Sequence, residues 1–184
     1  MSVVFFESDR LWYRPPERMD AERMQRWVND PEVRRNLLRR LPISLGAELA
    51  WVDGVSLPVG TSAPDKLPLL FGLKGEADPI GSAGLFAFDW ITRAAEWGLI
   101  IGEPDNWNKG YGREVARAFL RYGFAELNLN RIMLRVNATN TGGIKAYEAA
   151  GFVREGALRQ AAFIEGAHQD VLIMSVLRVD WTES

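Results

Sequence analysis

The stretch EWGLIIGEPDNWNKGYGREVARAFL, Glu96 to Leu120, runs from an apolar strand pattern through a polar turn into a helix opened by Gly110 and Gly112. Amides at a helix start lack intrahelical partners, and the helix dipole adds partial positive charge there, so such a turn is suited to an anion. Two glycines would let the backbone bend and approach that anion without side-chain obstruction. An ordinary tight turn uses the same residues, so the glycines alone decide nothing. The helix that follows carries Ala116, Phe119, Leu120, Phe124 and Leu127 on one stripe, spaced by three or four. Beyond it RIMLRVN, residues 131–137, reads as a short strand. Strand, helix and strand over residues 96–136 make one crossover, which predicts a parallel pair with a right-handed connection.

Working outward, SDRLWYRPP reads as a first strand ended by Pro15 and Pro16. A helix with Met19, Met24, Trp27 and Val28 on its apolar side follows, broken by Asn29-Asp30-Pro31, and a second helical stretch begins near Glu32. Residues 53–68 are rich in Gly, Pro and Ser and predict a mobile loop, a candidate lid. LLFGLKG and PIGSAGLFAFDW read as two antiparallel strands, and AAEWGLII as the strand before the glycine turn. After RIMLRVN, TGGIKAYEAA reads as a brief helix with Asn140 as N-cap and Gly151 just past its end. GFVREG and DVLIMSVLRV close the chain as strands. The fold class is therefore α/β (α+β), a mixed sheet flanked by helices.

Composition narrows the chemistry. A chain of 184 residues with 47% hydrophobic content fits one domain with a sizeable core. The formal charge of -2 advertises no nucleic-acid partner. There is no cysteine, which removes disulfides, thiolate nucleophiles and cysteine-bound metals, and the single histidine, His168, removes a multi-histidine metal site. No leader pattern or run of membrane-spanning length is present, so the expectation is a cytoplasmic protein without a membrane partner. Two phosphate-binding patterns fail. A dinucleotide fold places its first glycine directly after the strand, where this chain has EPDNWNK, and closes the next strand with an acid, where this chain has Val136-Asn137. A triphosphate loop needs Gly-Lys followed by Ser or Thr, which is absent.

The run WNKGYGREVARAFLRYGFAELNLNRIMLRVNATNTGGIKAYEAAGFVREG, residues 107–156, resembles the coenzyme A half of the GNAT N-acetyltransferases, and most nearly the RimJ/RimL branch of ribosomal-protein N-terminal acetyltransferases. The resemblance continues through WVNDPEV, AEWGLII and GAHQDVLIMSVL and covers almost the whole chain except residues 53–68. It implies a single acetyltransferase domain over 1–184, a largely antiparallel sheet with a splayed parallel pair, and acetyl-CoA as co-substrate without a metal. In the family a Gln/Arg-x-x-Gly-x-Gly/Ala loop wraps the coenzyme diphosphate with main-chain amides. The matching positions here are Trp107, Asn108, Lys109, Gly110, Tyr111 and Gly112, with Trp107 in place of Gln or Arg. Lys109 and Arg113 would add positive charge. The strand of Leu99, Ile100 and Ile101 matches the one that splays from its parallel neighbour, holds the pantetheine arm and offers an amide near Leu99 or Ile100 to the thioester carbonyl.

By the same resemblance Asn140 contacts the coenzyme arm and Tyr147 lies near the sulfur as the acid that protonates the departing thiolate. Glu96 stands where relatives place the base, direct or through water; its plain alternative is a strand carboxylate paired with an arginine such as Arg93. Gly143 is a mild departure where relatives carry another small residue. The acceptor expected from the branch is a protein N-terminal amine. The alternatives are a small amine (a polyamine, amino sugar or aminoglycoside) and a coenzyme-binding regulator without catalysis. A homodimer is left open. Arg34, Arg35, Arg39 and Arg40 read as a solvated basic helix face, and Trp27, Trp51 and Trp90 as candidates to line an acceptor cleft. His168 is given no role.

Overall fold

Alternation of burial along the central strands separates two apolar layers, one on each side of a single sheet. The computed structural model describes residues 3–55 and 63–182. Its eight strands lie in the order β1 (Phe6–Glu7), β2 (Leu11–Arg14), β3 (Lys66–Leu73), β4 (Pro79–Asp89), β5 (Ala94–Ile101), β6 (Arg131–Asn137), β8 (Ala167–Leu177) and β7 (Val153–Ile164). Every neighbouring pair is antiparallel except β5 and β6, which run parallel. Five helices accompany them: α1 (Ala21–Asn29), α2 (Pro31–Arg35), α3 (Leu45–Val55), α4 (Tyr111–Arg121) and α5 (Thr141–Ala149).

On one face Leu69 and Phe71 of β3 and Ala95 and Trp97 of β5 join Val115, Phe119 and Leu120 of α4 and Ile144 of α5 in the larger core. On the other face Leu70 and Ile100, one residue out of step, meet Met24 and Trp27 of α1 and Val52 of α3. Of the predicted stripe, Ala116, Phe119, Leu120 and Phe124 are buried, and Leu127, just past the helical turns, packs half-buried against the same core. Phe124 reaches the core from a wide turn of helix at Tyr122–Glu126 that continues α4.

Several expectations are corrected. Met19 belongs to a single tight turn before α1 and is 80% exposed, so the apolar face of α1 starts at Ala21 and Met24. Arg34 and Arg35 lie on α2, but Arg39 and Arg40 come after it, so there is no four-arginine helix face. Asp53 to Val55 complete α3, and β3 begins at Lys66; residues 56–62, and with them the proposed lid, lie outside the described residues. The strand read at GFVREG runs on to Ile164 and forms a hairpin with β8 through Glu165 and Gly166, where both residues take positive φ. Asp30 does end α1, and it caps α2 by accepting from the amides of Glu32 and Val33. No helix among the described residues is long and apolar enough to cross a membrane.

Candidate active site

Parallel pairing of β5 with β6 is brief. It joins Ala94 to Arg131, Ala95 to Ile132 and Glu96 to Met133, and then stops, although both strands continue. Each stays paired on its outer side, β5 with β4 as far as Ile101 and β6 with β8 as far as Asn137. The sheet is therefore open at its centre. Gly102 N–H donates across to the Ile80 carbonyl on the β4 side, whereas the Arg93 carbonyl accepts from Asn130 and Arg131 on the β6 side. Main-chain groups alternate along a strand. Ile100 and Gly98 consequently turn theirs to β4, while Leu99 and Trp97 turn theirs into the opening. Of the two amides named as donors to a thioester carbonyl, the Leu99 amide faces the gap.

The glycine turn closes one end of this opening. Asn108 and Gly110 take left-handed conformations, with φ of 60° and 84°, and Gly110 caps α4 with no side chain bonded to the free amides. The first bond into the helix runs from Glu114 N–H to the Gly110 carbonyl, 3.2 Å, so the amides of Tyr111, Gly112 and Arg113 have no helical partner. Neither backbone nor space demands glycine at Gly112: a Cβ there would touch Ala146 and Leu99 at 3.6 Å, ordinary contact. Trp107 ties the turn to the end of β5 through its indole N–H, which donates to the Ile101 carbonyl at 2.9 Å.

Sequence reasoning missed the support of this turn. Arg10 donates to the Lys109 carbonyl at 3.1 Å, stacks over the Tyr111 ring at 4.5 Å, and bonds Glu114 through both its side chain and its amide at 2.7 Å. Ser8 adds a third bond to Glu114 at 2.7 Å. Burial alone would raise the Glu114 carboxyl, but these hydrogen bonds from Arg10 and Ser8 outweigh it and hold the group below its ordinary value. Partners about a hundred residues apart leave no local signal in the chain.

The two side chains expected to move protons, Glu96 and Tyr147, stand along the same opening. Glu96 accepts from Arg135 Nε at 2.9 Å and Nη2 at 3.2 Å, so its ion-pair partner is Arg135 on β6, just past the last paired register, and not Arg93. Arg93 instead donates to Asn128 at 3.3 Å. Tyr147 packs edge-on against Trp97, with ring centroids 5.4 Å apart. Its hydroxyl has no protein partner among the described residues, and burial pushes it up to about 12. Asn140 caps α5 by accepting from Gly143 N–H at 2.9 Å. A Cβ at Gly143 would fall 2.8 Å from the Asn140 amide, so the glycine that looked like a mild departure is what lets this cap close.

A cleft of about 1080 Å³ passes through the gap and brings together Glu96, Leu99, Ile100, Ile101, Trp107, Asn108, Gly110, Gly112, Arg113, Asn140 and Tyr147. Lys109 and Tyr111 lie outside its lining; Lys109 faces a second, smaller depression beside Arg10. Trp27 and Trp51 line the cleft as expected. Trp90 does not: it stacks on Phe88 at 4.8 Å and donates to the Pro64 carbonyl. His168 packs beside Phe163 in the β7–β8 hairpin, away from the opening. Among the described residues no group of three or more His, Cys, Asp or Glu could hold a metal ion.

Residues 10–153 match the protein family described as "Acetyltransferase (GNAT) domain". The chain is 29% identical over 177 residues to the uncharacterized N-acetyltransferase p20 of Bacillus licheniformis, covering 95% of this chain and 96% of that protein. It is 39% identical over 99 residues to a spermidine N(1)-acetyltransferase of Vibrio cholerae, covering 54% and 57%. A crystal structure of spermidine N-acetyltransferase from Vibrio cholerae in complex with CoA and spermine superposes with a TM-score of 0.83 at 27% identity, covering 92% of this chain and 96% of that one.

Proposed function

The chain belongs to the GNAT acetyltransferases and is an acetyl-CoA-dependent acyltransferase; from that premise we propose that its acceptor is the primary amine of a small molecule. The observation that carries the reading is the early end of β5–β6 pairing after Glu96, which opens a passage between the two faces of the sheet. The likeness to spermidine N-acetyltransferases favours a small amine over the protein N-terminus that the RimJ/RimL resemblance suggests.

The residues fit the co-substrate on a specific ground: three amides at the start of α4 lack helical partners, and Gly110 leaves no side chain over them. Those amides would hold the diphosphate, with Arg113 adding charge. The main-chain groups of Trp97 and Leu99 would pair with the pantetheine arm as an added strand does, and the Leu99 amide would polarise the carbonyl. Acetyl-CoA supplies an activated acyl carbon and a thiolate leaving group. Glu96, direct or through water, takes the proton the amine must lose, for which it must first loosen its bond to Arg135. Tyr147 returns a proton to the departing sulfur. As the new N–C bond forms and the C–S bond breaks, one proton leaves the amine and one reaches the thiolate. Burial keeps the Tyr147 phenol loaded with its proton, and the same dry surroundings raise the proton affinity of a thiolate beside it. Positioning supplies most of the acceleration.

Thiol release from acetyl-CoA against a panel of small primary amines and N-terminal peptides tests this. Small amines should be turned over with one acetylated product per thiol. Release driven by peptides alone would overturn the small-amine reading and restore the protein N-terminus.

A further inference from the structure

Resting on the reading of this cleft as a small-amine acetyltransferase site, we propose that the acceptor carries a single positive charge on an apolar body, and that Glu48 is the carboxylate that draws its ammonium group into the cleft before the proton passes to Glu96. Glu48 sits in the first turn of α3, is 5% exposed, and still lines the cleft. Its amide donates to the Ser44 carbonyl at 3.0 Å, but its carboxylate accepts no hydrogen bond and forms no direct ion pair among the described residues, with Arg39 acting on it only from a distance. A carboxylate on a nearly buried residue, open only to the cleft and without a direct partner, is costly, and the natural remedy is a ligand that brings the opposite charge.

The walls around it are apolar. Met24, Trp27, Ile43 and Trp51 also line the cleft, and Trp51 stands three residues from Glu48 on α3. Trp27 is held rigidly there: its indole N–H donates to Glu103 at 2.9 Å, and its ring lies so close to Gly102 that a Cβ would fall 2.1 Å from it. Aromatic faces also attract a cation.

The charge tally rules against a polycation. Among the described residues only two carboxylates line the cleft, Glu48 and Glu96, and Glu96 is already paired with Arg135. Arg39 lines the cleft near Glu48, close enough to act on its charge. One ammonium finds a carboxylate; a second or third would meet indole, aliphatic wall or guanidinium. This separates the chain from its relatives that are spermidine N-acetyltransferases, despite their common fold.

The test compares 2-phenylethylamine, spermidine and an N-terminal peptide by thiol release, with wild type, Glu48→Gln and Arg39→Glu. Wild type should favour 2-phenylethylamine over spermidine at least tenfold in kcat/KM. Glu48→Gln should raise KM for 2-phenylethylamine about tenfold with kcat and calorimetric coenzyme A binding unchanged, and the gap should close as rising pH removes the charge of the amine. Arg39→Glu should raise kcat/KM for spermidine at least fivefold, a gain that a misfolded variant could not give. Preference for spermidine in wild type, or an unchanged KM in Glu48→Gln, would overturn the inference and leave the small-amine reading standing. Turnover of the peptide alone would overturn both.

Discussion

Tyr147 concentrates the chemistry proposed for this site into one hydroxyl. Its ring packs against both Trp97 and Phe152, the residue lines the cleft, and its hydroxyl has no protein partner among the described residues. Tyr147→Phe keeps the packing and removes only the proton donor, so kcat should fall about 100-fold, within the range of lost general acids. Coenzyme A affinity should stay near wild type by calorimetry; a kcat within twofold of wild type would remove the residue from the mechanism. Burial raises the phenol to about 12 in the folded chain against about 10 when exposed. The unfolded chain therefore releases this proton first, and stability falls as pH rises from about 10 through about 12. Melting curves should show a shallower alkaline loss in Tyr147→Phe than in wild type. Buried Tyr13, also raised by desolvation, would supply the loss that remains.

The glycine turn and α4 are the element on which coenzyme binding is proposed to depend, and their two glycines do different work. Gly110 has φ of 84°, so Gly110→Ala forces a side chain into a left-handed residue at a cost of about 1–2 kcal/mol and shifts the amides that follow. Gly112 has no such φ, and its Cβ would make only ordinary contacts at 3.6 Å. Gly112→Ala should therefore bind coenzyme A within about threefold of wild type, while Gly110→Ala should lose tenfold or more. Equal losses in both, measured by calorimetry, would mean that the conformation of the turn does not set affinity. At this scale the chain was readable: β6, the cap at Asn140 and the stripe on α4 stand where local pattern put them. The opening between β5 and β6 was legible only through resemblance, because Glu96–Ile101 carries the same apolar run whether or not its backbone is paired.

Long-range partners decide what local pattern cannot. Glu96 could have met any nearby arginine, and the register of the parallel pair chose Arg135 over Arg93. The lone carboxylate of Glu48 gave no sign in the sequence, since its burial comes from the packing of α1 and α3 against Leu70 and Ile100. The clamp on the glycine turn is the clearest case. Ser8 and Arg10, between β1 and β2, hold Glu114 on α4, about a hundred residues away in the chain, so the N-terminal strands brace the proposed coenzyme site. Arg10→Ala removes the bond to the Lys109 carbonyl and the cation over Tyr111, and leaves Glu114 only the amide and Ser8. Stability should drop by about 1–2 kcal/mol, the scale of hydrogen bonds to a charged group reduced by solvent screening of the half-exposed Arg10. The KM for acetyl-CoA should rise about tenfold with kcat at saturation unchanged, because the clamp touches the turn and not Glu96 or Tyr147. The depressed Glu114 carboxyl gives the sign of the pH effect: its contribution is present above the ordinary carboxylate range and is lost as pH falls through the folded value. Acid titration should therefore weaken coenzyme binding more in wild type than in Arg10→Ala. A fall in saturated kcat with unchanged KM would instead mean that the N-terminal strands act on the reacting groups.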